Sequence, residues 1–375
     1  MTRESLWAAG SVVTVVTLTA SPSRPEVREI CPPREFKGQS DALYLSNGDG
    51  TFRDATQDAG LQPDGKGLGV VVADLDLDGV VDIFVGNDMV PNFQYRNLGD
   101  AKFEEVGAIS GSAFDSAGTA RGSMGVDLGD FDSDGLPDLA VASITIGGVS
   151  LYHNDGHGHF HHASRQRGIF GEGTLFVSWG AAFCDFDHDG DEDLFVSNGG
   201  VVRYDEELLK VRQPSLFFEN VRGRQFTNVA SEVGPYFQAT HNARGFATGD
   251  LDNDGLVDLA ISRLNQPVAV LRNTTSSANH WLSLQLIGRN SARTPIGAIV
   301  KTTTSQTIQT QQIKGGSSYA STCDRQLILG LGAEKSANVK IRWPNGQTQT
   351  LPSVTSNTHW IVVEGSEPQP SRKAK

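Results

Sequence analysis

The pattern DxDxDGxxD recurs four times along the chain, and a motif repeated at this spacing restricts the fold to an assembly of similar units. The copies run from Asp74 to Asp82, Asp130 to Asp138, Asp185 to Asp193 and Asp250 to Asp258. Aspartates occupy loop positions 1, 3, 5 and 9: Asp74, Asp76, Asp78, Asp82; Asp130, Asp132, Asp134, Asp138; Asp185, Asp187, Asp189, Asp193; Asp250, Asp252, Asp254, Asp258. Glycine at position 6 permits a sharp turn. Val80, Leu136, Asp191 and Leu256 at position 7 would offer backbone carbonyls. Hard oxygens in this order suit Ca2+. An EF-hand needs a bidentate Glu at position 12, where these loops have Val85, Val141, Val196 and Ile261, so they are not EF-hands. Short apolar runs follow each loop, as in Ile83-Phe84-Val85, and a similar run, Val70-Val71-Val72-Ala73, precedes the first. Each loop is therefore expected to be the turn of a β-hairpin. One such turn could form without metal because Asp and Gly favour turns; every aspartate retained in four copies argues for a ligand set.

A second motif alternates with the first: an apolar strand ending in Asn, a Gly-containing turn, then Phe. It appears at Asn47 to Phe52, Asn97 to Phe103, Asn154 to Phe160 and Asn220 to Phe226, with Asn273 a copy lacking Phe. First aspartates are separated by 56, 55 and 65 residues and the asparagines by 50, 57, 66 and 53, so both series share one long interval. This places an insertion near residues 199–213. Each unit reads as four short strands, with the acidic loop between the first two and the Asn-Gly turn between the last two. Such units are β-propeller blades, which bury their apolar faces only against neighbours. Complete blades are expected at roughly 68–107, 124–163 and 179–230, with partial ones at 43–56 and 245–273.

These motifs resemble the FG-GAP (VCBS) repeats of the cartilage acidic protein family. After them come Asn279-His280-Trp281-Leu282, Ile296-Gly297-Ala298, Gly315-Gly316-Ser317-Ser318-Tyr319, Leu329-Gly330-Leu331-Gly332 and Val339-Lys340-Ile341-Arg342-Trp343-Pro344-Asn345-Gly346, in that order. They look like the ASPIC/UnbV domain that follows the propeller in that family. The resemblance spans residues 31–365 and implies an all-β chain, with an N-terminal segment 1–40, propeller repeats 41–278 and ASPIC/UnbV domain 279–365; the tail 366–375, rich in Pro, Ser and Lys, is expected to be disordered. Relatives usually carry further blades upstream, and Cys31-Pro32-Pro33-Arg34 resembles a segment inside a blade. The preferred reading is an open arc beginning in mid-propeller; the alternative is a four-bladed ring closed by pairing 43–56 with 245–273.

The formal charge of −13 comes from these loops, since without their sixteen aspartates the chain would carry +3, and four bound Ca2+ would bring it to −5. No basic stripe with aromatics is visible, which argues against a nucleic-acid partner. Cys31, Cys184 and Cys323 cannot all pair within one chain, and Cys184 is expected to be a buried thiol. Turn-built calcium sites fall in the ~10⁻⁴–10⁻³ M range of extracellular modules, pointing to an extracellular, cell-surface or periplasmic location. Residues 6–20 are apolar but too short to span a bilayer; they read either as a signal-peptide core or as a spurious start.

No GxSxG, P-loop, HExxH or CxxC occurs. His157, His159 and His161 share one face of a turn and strand, giving either a transition-metal site or an exposed polar face. Asp191 and Glu192 add charge beside the third loop. The favoured function is a non-enzymatic calcium-binding repeat module for adhesion or for binding an extracellular glycan or protein. The alternative is a polysaccharide-acting enzyme or accessory subunit on a propeller. The 279–365 stretch should fold without calcium, with Trp343 partly buried.

Overall fold

The computed structural model describes residues 33–146, 148–169, 175–201 and 211–371, with the strand backbones of Leu6–Ala8, Leu18–Ala20 and Arg28–Ile30. Cys31, most of the apolar run 6–20 and much of the insertion, residues 202–210, lie outside the described residues. The structure is almost wholly β, and among the described residues no helix is long and apolar enough to cross a membrane.

The repeats form successive antiparallel meanders. The first complete blade is Gly67–Ala73, Asp82–Asn87, Phe93–Asn97 and Phe103–Glu105. The second is Ser123–Gly129, Asp138–Ile146, Val149–Gly156 and His159–His162, and the third Leu175–Cys184, Asp193–Asn198, Leu216–Val221 and Gln225–Asn228. The end of Asp138–Ile146 also pairs with the start of Leu175–Cys184, joining two blades in one sheet. Ala243–Gly249, Asp258–Arg263 and Ala269–Leu271 make a three-stranded C-terminal partial blade.

Alternation along a strand sends neighbouring side chains to opposite faces, and in these blades both faces are covered. Val72, Ile83 and Val85 pack with Leu43 and Leu45 on the N-terminal side, whereas Val71, Ala73 and Phe84 pack with Val126, Leu139 and Val141 of the second blade. The same logic puts Phe131, Ala181, Phe183 and Leu194 between the second and third blades, and Phe195, Phe246 and Ile261 beyond the third. This double burial explains the nearly continuous apolar runs. Leu43–Ser46 pairs with Phe52–Asp54 and Leu6–Ala8, not with the C-terminal partial blade, so these strands do not close a four-bladed ring.

C-terminal to the repeats, two four-stranded sheets enclose a separate core. One contains Leu327–Gly332, His280–Ile287, Thr358–Val363 and Gln369–Pro370; the other Ile308–Gln312, Ile299–Thr303, Ser336–Arg342 and Thr348–Thr355. Trp343 is 2% exposed, so it is fully rather than partly buried; its Nε1 donates to Gln349 Oε1 at 3.1 Å, which satisfies the indole inside the core. The expected disordered tail is strand at Gln369–Pro370, beside a Ser366 carbonyl that accepts from Gln349 Nε2; residues 372–375 lie outside the described residues.

Residues 314–321 of this C-terminal part run along the first strands of the blades. Val72 and Gly315 exchange backbone hydrogen bonds at 2.7 and 2.9 Å, as do Val126 and Ser318 at 3.3 and 2.8 Å. Gly69, Gly125, Gly180 and Gly245 stand five residues before the four loops, next to register shifts in their ladders. A methyl on Gly125 would lie 2.6 Å from the Ser318 carbonyl carbon, and one on Gly245 would overlap the Tyr319 carbonyl oxygen. Gly125, Gly180 and Gly245 let this segment approach, whereas a methyl on Gly69 would meet the Met124 carbonyl oxygen of the second blade.

Candidate functional site

All four acidic loops are hairpin turns built alike. Each joins paired strand ends, Ala73 to Asp82, Gly129 to Asp138, Cys184 to Asp193 and Gly249 to Asp258. Position 4 is left-handed in every copy, with φ of 61° at Leu77, 59° at Ser133, 64° at His188 and 60° at Asn253. Asp74, Asp130, Asp185 and Asp250 each accept the amide of the loop glycine through Oδ2 at 2.9–3.0 Å. Asp78, Asp134, Asp189 and Asp254 accept the amides of Val80, Leu136, Asp191 and Leu256 at 2.8–2.9 Å. Asp82, Asp138, Asp193 and Asp258 accept the position 2 amides at 2.9–3.2 Å. Carboxylate oxygens have further lone pairs, so these bonds orient the side chains without exhausting them.

The donor set fits a hard cation. Oxygens of Asp74, Asp76 and Asp78 lie within 4.8 Å of one another, as do those of Asp130, Asp132 and Asp138 and of Asp185, Asp187 and Asp193. Asp74 Oδ1, Asp130 Oδ1 and Asp132 Oδ1 are buried without a hydrogen-bond partner. Burial, then the charges of Glu192, Asp134 and Asp132, pushes Asp130 up to about 8, and burial pushes Asp82 to about 7. Burial likewise holds Asp138, Asp185 and Asp193 well above the ordinary carboxylate range. A cation among such groups would restore their charged form.

The asparagine motif serves these loops, a role its spacing alone did not reveal. The backbone N–H groups of Asn97, Asn154, Asn220 and Asn273 donate to Oδ1 of Asp82, Asp138, Asp193 and Asp258 at 2.8–2.9 Å. Their side chains reach further. Asn154 Nδ2 donates to Pro137 O in its own blade and to Leu75 O in the preceding loop, at 2.9 and 3.0 Å. Asn220 joins Glu192 O and Phe131 O at 3.0 and 2.7 Å, and Asn273 joins Phe186 O at 2.8 Å. One residue thus orients its own loop and ties it to the loop before.

Glu192 does not simply add charge to the third loop: it is turned to the second, where Oε2 accepts the Asp130 amide at 2.8 Å. Basic side chains also border the second loop and the fourth. Arg167 Nη2 and His153 Nε2 lie 2.7 and 3.0 Å from Asp132 Oδ2, and Arg272 reaches Asp252 and Asp254 at 2.5 and 3.0 Å. His157 sits in a left-handed turn at φ 55°, and the fold gathers His153 into two clusters, one with Asp155 and His161 and one with Asp132 and Asp134 of the second loop. Cys184 and Cys323 are free and partly buried against the same core.

Residues 36–85, 78–141 and 130–196 match the FG-GAP-like repeat family, and residues 288–369 match the family described as ASPIC and UnbV. The chain is an FG-GAP repeat protein with an ASPIC and UnbV domain. It is 27% identical to cartilage acidic protein 1 of Mus musculus over 92% of this chain and 52% of the relative, and 28% identical to that of Homo sapiens over 82% and 45%. The chain therefore spans about half the length of the curated relatives it matches. Among solved structures, an Agrocybe aegerita lectin described as recognising non-reducing terminal N-acetylglucosamine aligns with a TM-score of 0.34 and 16% identity, over 72% of this chain and 66% of that one. A Trypanosoma rangeli sialidase aligns at 0.25 and 11%, over 88% and 59%.

The ASPIC and UnbV domain docks directly on FG-GAP loops. Arg342 pairs with Asp74, and Gln312 bonds both the amide and the carbonyl of Asp74, at 3.1 and 2.9 Å. Lys314 Nζ lies 2.7 Å from Asp127, just before the second loop. The Gly332 amide donates to His188 O in the third loop at 3.0 Å, and His359 Nε2 lies 3.4 Å from Asp250 in the fourth.

Proposed function

We propose that this chain is a non-enzymatic, extracellular calcium-binding repeat module whose exposed loops or C-terminal domain bind a glycan or protein, as in adhesion. Ca2+ would be held by Asp74, Asp76, Asp78, Asp82 and the Val80 carbonyl in the first loop, and by the corresponding residues, with the carbonyls of Leu136, Asp191 and Leu256, in the other three. The observation that carries the reading is the set of buried, unpartnered oxygens, Asp74 Oδ1 and Asp130 Oδ1, in loops of one repeated conformation. The ion would neutralise carboxylates that otherwise repel one another, and so hold each hairpin turn in shape. Likeness to cartilage acidic proteins and the ~10⁻⁴–10⁻³ M affinity of extracellular calcium modules support the location.

Equilibrium calcium binding tests the ligand assignment: Asp187→Ala should weaken one site and leave three. Four unchanged sites would refute it. Glycan and extracellular-protein arrays with and without calcium test the binding role; turnover of a polysaccharide would oppose the non-enzymatic reading.

A further inference from the structure

The hairpin that carries Asn154 gathers His153, Asp155 and His161, three residues outside the acidic loops. His153 and His161 are directly opposed across Val149–Gly156 and His159–His162, so their side chains share a face. Their ring centroids are 5.0 Å apart. Asp155 reaches both: Oδ1 lies 3.4 Å from His153 Nδ1, and Oδ2 lies 2.9 Å from His161 Nδ1. Donors about 2.0–2.1 Å from a tetrahedral zinc ion are about 3.3–3.4 Å from one another. The cluster needs only small adjustments to match.

The hydrogen bonds of His153 select its tautomer. Its Nε2 faces carboxylate oxygens of Asp132 at 3.0 Å and Asp134 at 3.6 Å. An ionised carboxylate only accepts, so Nε2 carries the hydrogen, and in the neutral ring Nδ1 is left with a lone pair. That Nδ1 is buried and has no hydrogen-bond partner. It faces Asp155 Oδ1 at 3.4 Å, a second acceptor, and a cation placed between the two would join them. A carboxylate on the far nitrogen is also how proteins orient metal-bound imidazoles. In the C-terminal partial blade the residue before the motif asparagine is Arg272, which pairs directly with loop aspartates. Histidine in that place can face the loop with one nitrogen and a different ion with the other.

We propose that His153 Nδ1, His161 and Asp155 bind a divalent transition-metal ion of the zinc class. Two imidazoles with one carboxylate favour such an ion over Ca2+, which prefers oxygen donors alone. Asp155 and His161 are about half exposed, leaving further coordination positions to water. The assignment does not rest on the calcium reading, because the hydrogen bond of Asp132 Oδ2 to His153 Nε2, at 3.0 Å, leaves Asp132 Oδ1 for a loop ion.

The test is calorimetric titration of Zn2+ into the full chain in millimolar Ca2+, which occupies hard-oxygen sites beforehand. One equivalent of Zn2+ should bind. His161→Ala and Asp155→Asn should each weaken it by ~10-fold or more without changing the melting temperature in Ca2+, whereas Asp132→Asn, which removes the carboxylate that orients His153, should cost ~10–100-fold. Imidazole ¹⁵N spectra should show Zn2+ shifting His153 Nδ1 while Nε2 keeps its hydrogen. Absence of stoichiometric uptake, uptake that survives both His161→Ala and Asp155→Asn, or a His153 ring with hydrogen on both nitrogens in the presence of Zn2+ would overturn the proposal.

Discussion

Asn154→Ala should destabilise the protein far more than Asn47→Ala, although the two asparagines open the same sequence motif. Asn154 is 0% exposed and its Nδ2 satisfies two carbonyls, Leu75 O and Pro137 O, in neighbouring blades. Each buried carbonyl left without its partner costs about 1–3 kcal/mol, so the variant should lose about 2–6 kcal/mol. Asn97 serves one carbonyl, Val81 O, and its alanine variant should lose about 1–3 kcal/mol by the same reasoning. Exposed Asn47 bonds only the neighbouring Thr51 hydroxyl through Nδ2, and its replacement should stay within about 0.5 kcal/mol. Urea unfolding at saturating Ca2+, followed by tryptophan fluorescence, measures the series. Equal losses at Asn47 and Asn154 would refute the role of this asparagine as a tie between blades.

Three further outcomes follow from the C-terminal docking and core. Gly245→Ala should cost about 1–3 kcal/mol in thermal melts because its methyl would meet the Tyr319 carbonyl oxygen; an unchanged melt would contradict the close docking of 314–321. Glu364, 1% exposed, accepts the amides of Arg289, Asn290 and Ser291 at 2.8 Å each. Burial raises its pKa, but those bonds and Asn345 more than offset it, so the carboxyl titrates below its ordinary value. Its contribution is present above about pH 4.3 and is lost as pH falls below that; Glu364→Gln should cost about 1.5–3 kcal/mol at neutral pH and flatten the acid-side loss in pH-dependent melts. Residues 279–365 expressed alone should give dispersed amide spectra without calcium, since their core is formed by their own residues; a collapsed spectrum would make the stretch an extension of the propeller.

Much of the repeat was legible because both of its signals are local. An aspartate-glycine loop between apolar runs specifies a hairpin turn with few alternatives, and the asparagine turns mark the second hairpin of each blade. What was not legible depends on contacts between distant residues. Arg342 meets Asp74 across 268 positions, and no local pattern predicts that approach. The glycine five residues before each loop was a visible period, but at Gly125, Gly180 and Gly245 its meaning requires the segment 314–321. His153 and His161 are eight positions apart, and only the register of their hairpin makes them neighbours. Sequence alternation therefore favoured His157, His159 and His161.

Calcium-dependent melting tests the central claim most directly. Ca2+ at about 1 mM, one to ten times a Kd of ~10⁻⁴–10⁻³ M, adds about 0.4–1.4 kcal/mol for each loop, provided the unfolded chain does not bind it. Scanning fluorimetry of the full chain should therefore show the melting temperature rising with millimolar Ca2+ and falling with EGTA. Identical melts in the two conditions would contradict calcium binding by the loops.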